Sequence, residues 1–225
     1  MSTEQTQGFL HWRWAIPAAA TVATVFSIWD HLPIAAWTLE EYYQARILVF
    51  LGSGTAGALV FHALNKKGGP PPVKHPRGVL WLFLIVAFIL YDVVRFPVLV
   101  FGGVVDLDCA RPIAQGPEFL MWVIGAPLAE EVAYRALPLT FALSLGRPGW
   151  TVAIRISTSA IFAMSHIHLA QEDMFNIGIM GLFSGVLFLK TRKLWPIVLL
   201  HSVSNMLVML SEWGWHRLGY KMCEL

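Results

Sequence analysis

The stretch EFLMWVIGAPLAEEVAYRALPLTFALSL, residues 118–145, decides how this chain is read. It exceeds the about 20 apolar residues that a helix needs to cross a bilayer core of about 30 Å. Its middle nevertheless carries Glu130, Glu131 and Arg135. Ionisable side chains at bilayer depth cost several kcal/mol unless they are paired or wetted, so each is a candidate functional group. Glu131 and Arg135 stand i,i+4 in the favourable order and form an ion pair on a helix. Glu130 is left over. It projects about 100° around the axis and must either protonate through desolvation or be held ionised by other helices.

The rest of the chain fits a lipid solvent. Its 225 residues are 56% hydrophobic and 13% charged, against roughly 25% charged in soluble domains. The 16 basic and 14 acidic residues leave a net +2, which excludes a basic nucleic-acid-binding surface and a disordered chain. Cys109 and Cys223 are too few and too scattered for a disulfide framework or a metal motif and read as free thiols. Apolar stretches fall at 14–29, 46–64, 79–101, 118–145, 151–170, 174–189 and 194–211. The expected fold is therefore all-α, a polytopic transmembrane helical bundle of about seven spans, with six to eight compatible with the short first stretch and its Pro17. Residues 1–225 are read as a single membrane domain with a core over about 118–211. The one clear linker is Lys66 to Pro72, where Gly and Pro resist ordering. Residues 9–29 have signal-peptide features, yet no small-x-small cleavage site precedes polar sequence, so the first helix is expected to be retained.

With seven spans, one face carries Lys66, Lys67, Lys74, Arg77, Arg147, Lys190, Arg192 and Lys193, whereas Asp30, Glu40, Glu41, Asp106, Asp108, Glu118, Glu172 and Asp173 gather on the other. The positive-inside rule then places the N-terminus in the cytoplasm and the C-terminus outside.

Further polar residues interrupt the apolar stretches: His166 and His168 in the fifth, His201 and Asn205 in the seventh, Asp92 and Arg95 in the third. Taken singly, His31, His62 and His168 read as interfacial residues, and Asp92 with Arg95 as a packing ion pair. An unpaired Glu130 together with His166, His201 and Asn205 is harder to explain structurally. A carboxylate with an imidazole can deprotonate a water, and imidazole plus amide donors can hold the oxyanion that forms on a peptide carbonyl. Phe162 lies one turn before His166 on the same side. Ser165 is an unfavourable nucleophile, because neighbours on a helix point apart.

Glu130-Glu131-Val132-Ala133-Tyr134-Arg135 matches EExxxR, Phe162-Ala163-Met164-Ser165-His166 matches FxxxH, and His201-Ser202-Val203-Ser204-Asn205 matches HxxxN, in that order. The sequence resembles the CPBP family of CAAX proteases and bacteriocin-processing enzymes (also termed ABI), which includes type II CAAX prenyl endopeptidases. The resemblance implies that Glu130 and His166 activate water, that His201 and Asn205 form the oxyanion hole, and that Glu131, Arg135 and Phe162 support them. It implies a membrane-anchored protein or peptide substrate and an integral protein of a bacterial or archaeal plasma membrane. A metal-free mechanism is favoured. Zinc on Glu130, His166 and His201 is the alternative, since two His and one Glu suffice for an open site, although HExxH is absent.

Three functions compete on these residues. An intramembrane endopeptidase would cut a CAAX-type tail, a leader or a sorting segment, and the expected outer position of His166 favours exported substrates. A proton-coupled small transporter would use buried Glu and His as relays. A non-catalytic, bacteriocin-immunity-like scaffold would tolerate loss of Glu130.

Overall fold

The computed structural model describes residues 14–30, 39–68, 86, 117–166 and 171–217. Among the described residues there are six helices and no strand: α1 (Ala15–Asp30), α2 (Leu39–Gly68), the composite α3, α4 (Pro148–Met164), α5 (Gln171–Thr191) and α6 (Leu194–Arg217). Helix α3 runs continuously through Pro117–Leu120, a π turn at Met121–Gly125, Ala126–Glu131, a second π turn at Val132–Ala136, and Leu137–Ser144. Six of the seven apolar stretches are thus seen as helices. Of the remaining stretch, 79–101, only residue 86 is described; Asp92 and Arg95 lie outside the described residues, as do His31, His168, Cys109, Cys223 and the acidic Asp106–Asp108 segment, and of the expected linker Lys66–Pro72 the first three residues instead end α2 while the rest lies outside.

Proline explains the two π turns. Inside a helix it supplies no N–H and its ring clashes with the carbonyl four residues back. Each π turn ends just before such a residue, Pro127 or Pro138, and the wider turn moves the opposing carbonyl away. The i→i−5 bonds are explicit: the Ala126 N–H donates to Met121 O and the Leu137 N–H to Val132 O. Such bulges are frequent at functional sites. Here they bracket Glu130 and Glu131.

Helix α3 is the axis of the bundle, and every residue from Glu131 to Thr140 is buried. Helices α1, α2, α4 and α6 pack on it, and α5 packs along α4 and α6. The approach of α2 to α3 uses small residues. A Cβ on Gly54 would press on the Ala129 backbone at 3.0 Å, and one on Gly57 would overlap Val132 Cγ1. Close backbone approach through glycine is how helices associate in lipid, where apolar burial drives little.

The outward faces are apolar. Leu48 is 72% exposed, Phe175 70% and Met164 66%, contacts that lipid would satisfy and water would not. Two helical segments, Gln44–Lys66 and Met174–Thr191, have the length and composition to cross a membrane, and Ala15–Val25 and Leu194–Leu210 are shorter apolar helices. Connections are tight. Gly146, at φ 66°, turns α3 into α4, while Arg192 takes the left-handed conformation between α5 and α6, its N–H bonding Phe188 O at 2.7 Å.

Candidate active site

The site forms where α3, α4 and α6 meet. Glu131 is fully buried and Arg135 is 1% exposed, with Nη1 3.3 Å from Glu131 Oε1. The same oxygen faces His201 Nδ1 at 2.9 Å, across from α6. A buried carboxylate is costly unless it is hydrogen-bonded and charge-compensated, and Oε1 receives both services. The other nitrogen of His201, Nε2, lies 3.6 Å from Glu130 Oε2. One imidazole therefore spans two consecutive carboxylates. The two differ in solvation: the Glu130 side chain is 12% exposed and that of Glu131 is at 0%.

Asn205 is brought to the site by the backbone irregularity of α3. In the π register the Trp122 carbonyl stands opposite Pro127, which has no N–H to offer. Asn205 Nδ2 supplies the donor instead, 2.8 Å from Trp122 O. An amide nitrogen carries two hydrogens, so this bond uses one and leaves the other.

His166 sits just beyond the end of α4. Its Nδ1 lies 2.9 Å from Phe162 O, and because a carbonyl only accepts, that contact is a hydrogen bond when Nδ1 carries the proton. Ser165 departs from the expectation of neighbours pointing apart. The helix stops at Met164, so Ser165 caps it rather than continuing it, and its Oγ comes to 3.2 Å of His166 Nδ1 while donating to Phe162 O at 2.8 Å. In the tautomer that bonds the Phe162 carbonyl, Nδ1 is already protonated and does not take the Ser165 proton.

Phe162 organises the assembly. Its buried ring lies edge-on to His166 at 4.9 Å and to His201 at 5.8 Å, with the Arg135 guanidinium over it at 4.0 Å. The structure thus gathers Glu130, Glu131, Arg135, Phe162 and His201 into one contact network, with His166 on the ring's edge. Asn205 shares α6 with His201, one turn on. Trp122, whose carbonyl takes the Asn205 bond, was not among the residues singled out in the sequence. The signal for it is Pro127 five residues later.

Among the described residues no group of three or more His, Cys, Asp or Glu side chains is arranged to hold a metal ion.

In comparisons with known proteins, residues 112–207 match the family model described as type II CAAX prenyl endopeptidase Rce1-like. No curated protein and no solved structure matches the chain. The family match covers α3 to α6 as far as the turn after Asn205.

Proposed function

We propose that this chain is an intramembrane endopeptidase working by a water activated between Glu130 and His166, a reading supported by the match of residues 112–207 to the type II CAAX prenyl endopeptidase Rce1-like family model. That likeness supports a protease of membrane-associated proteins, and the apolar helices agree with an integral membrane protein. The observation that carries the mechanism is the division of labour around His201, with Nδ1 at 2.9 Å from Glu131 and Nε2 at 3.6 Å from Glu130.

In this reading a water lies between the Glu130 carboxylate and His166 Nε2. As its oxygen attacks the scissile carbonyl carbon, its proton passes to that acid–base pair, and the carbonyl electron pair moves onto oxygen. The oxyanion is held by His201 Nε2–H and the remaining Asn205 Nδ2–H. An imidazole donating from both nitrogens carries both protons, and the flanking carboxylates compensate that charge. Collapse of the tetrahedral adduct breaks the C–N bond, and the proton borrowed from water goes to the leaving amine. Glu131 and Arg135 hold His201 from the dry side. The N-terminus is proposed to be cytoplasmic and the C-terminus outside, which puts Arg147 and Arg192 at the same, cytoplasmic, end.

The test is cleavage of a farnesylated C-terminal peptide, and of a leader-type membrane-anchored peptide, by the purified protein in lipid nanodiscs. Turnover of either substrate that vanishes in Glu130→Gln is expected. A folded wild-type protein that cuts neither, or a Glu130→Gln protein that cuts as well as wild type, overturns the proposal.

A further inference from the structure

Three glycines of α5 face α4 at successive turns and meet different neighbours. A Cβ on Gly178 would touch only Ala163 Cβ at 3.6 Å, an ordinary contact, and one on Gly185 would press the flexible Arg155 stem at 2.9 Å. Gly181 differs. A Cβ there would overlap Nη2 of Arg135, which comes from α3, and would crowd Ser159 at 3.2 Å.

Arg135 is buried to 1% exposure, yet among the described residues its Nε and Nη2 have no hydrogen-bond partner, and neither does Ser159 Oγ. Its polar anchorage is the Nη1 bond to Glu131, which at 3.3 Å is long for a charge-assisted one. Shape must therefore do what hydrogen bonds do not. The Phe162 ring lies against the face of the guanidinium at 4.0 Å, and the bare Cα of Gly181 leaves space for its tip.

We propose that Gly181 is a positioning residue: the absence of its side chain makes the slot that keeps Arg135 on Glu131, and through Glu131 it sets the orientation and proton arrangement of His201. The guanidinium is a rigid fork, so displacing Nη2 rotates Nη1 away from Glu131 Oε1. That oxygen also holds His201 Nδ1, and a carboxylate in a dry core that loses its cation shifts toward whatever donor is left. The ring follows, and Nε2 moves relative to Glu130. The catalytic consequence rests on the protease reading above; the slot itself does not.

A purely structural role, in which Gly181 merely lets α4 and α5 approach, predicts something different, and a double-mutant cycle separates the two. In the nanodisc cleavage assay, Gly181→Ala is expected to lower kcat about ten- to hundredfold with KM within about twofold, as for a small misplacement of a catalytic group. Gly178→Ala leaves both unchanged. In an Arg135→Lys background, where the fork is absent, Gly181→Ala costs less than about twofold further, the non-additivity of a shared contact. An equal cost in both backgrounds, or an equal cost from Gly178→Ala, overturns the proposal. If Gly181→Ala alone fails to fold, recovery of folded protein in the double variant supports the slot and its absence refutes it. Nitrogen-15 NMR of labelled histidine reads the same point without turnover. The hydrogen-bonded Nδ1 proton of His201 should shift in Gly181→Ala and stay in place in Gly178→Ala; an unmoved signal in Gly181→Ala refutes the slot. A wild-type protein that cleaves nothing removes the protease reading, while the spectrum still decides the role of Gly181.

Discussion

Glu130 and Glu131 are adjacent in sequence and lie on opposite sides of one functional boundary. On the dry side, Glu131 shares a single oxygen between Arg135 and His201 and has no exposure. On the open side, Glu130 keeps 12% exposure and stands 3.6 Å from His201 Nε2, too long for a hydrogen bond. The first carboxylate is committed to holding the bundle together. The second is not tied down in this way. The difference shows that a charge inside a membrane helix becomes structural or reactive according to how completely its neighbours satisfy it, and that a single step along the helix suffices to change which.

The sharpest way to break this comparison is Glu130→Gln. Turnover should fall by about 10²–10⁴ or more, as for loss of a general base, while thermal stability in detergent stays near wild type. A parallel loss of folded protein would put Glu130 on the structural side. The reverse pattern is expected for Arg135→Met, which removes the guanidinium from Glu131 and leaves it the His201 Nδ1 contact. Removing one member of a buried pair costs about 3–5 kcal/mol, measurable as a lower unfolding midpoint and a smaller yield of monodisperse protein.

Asn205→Ala tests whether α6 belongs to both sides. Loss of one oxyanion donor should lower kcat about 10²–10³-fold, and the Trp122 carbonyl, left opposite Pro127 with no donor, should cost about 1–3 kcal/mol of stability as well. Wild-type turnover in that variant would remove Asn205 from the mechanism and leave it as a cap for Trp122. The smallest effect belongs to the packing of α2 on α3. Gly57→Ala inserts a methyl where Val132 already sits and should destabilise by about 1–3 kcal/mol through overpacking, with kcat per folded molecule unchanged.

How legible the site was follows from the physics of each residue. The Glu131–Arg135 pair is local, four positions apart, so helical periodicity was enough to propose it, and it is present even though a π turn intervenes. Helix identity in six stretches was likewise legible, because lipid leaves a backbone no choice but to satisfy its own hydrogen bonds. The partners of His201 were not legible. Its two carboxylates are some 70 residues away in sequence, and nothing in an i,i+4 pattern says which nitrogen meets which oxygen. The Ser165–His166 contact was misjudged for a related reason: periodicity describes a helix interior, and α4 ends one residue earlier than that contact requires.

By itself, then, the sequence determined that the chain is helical and apolar, which ionisable residues interrupt it, and that EExxxR, FxxxH and HxxxN succeed one another along it. These follow from composition and from contacts within a turn or two. Tertiary structure alone decided that Glu131 is held dry while Glu130 keeps access to solvent, that Asn205 answers the carbonyl Pro127 cannot, and that Gly181 stands at the tip of Arg135. Each of these depends on how separate helices are rotated and seated against one another, and that is set by the packing of whole surfaces, which no local spacing encodes.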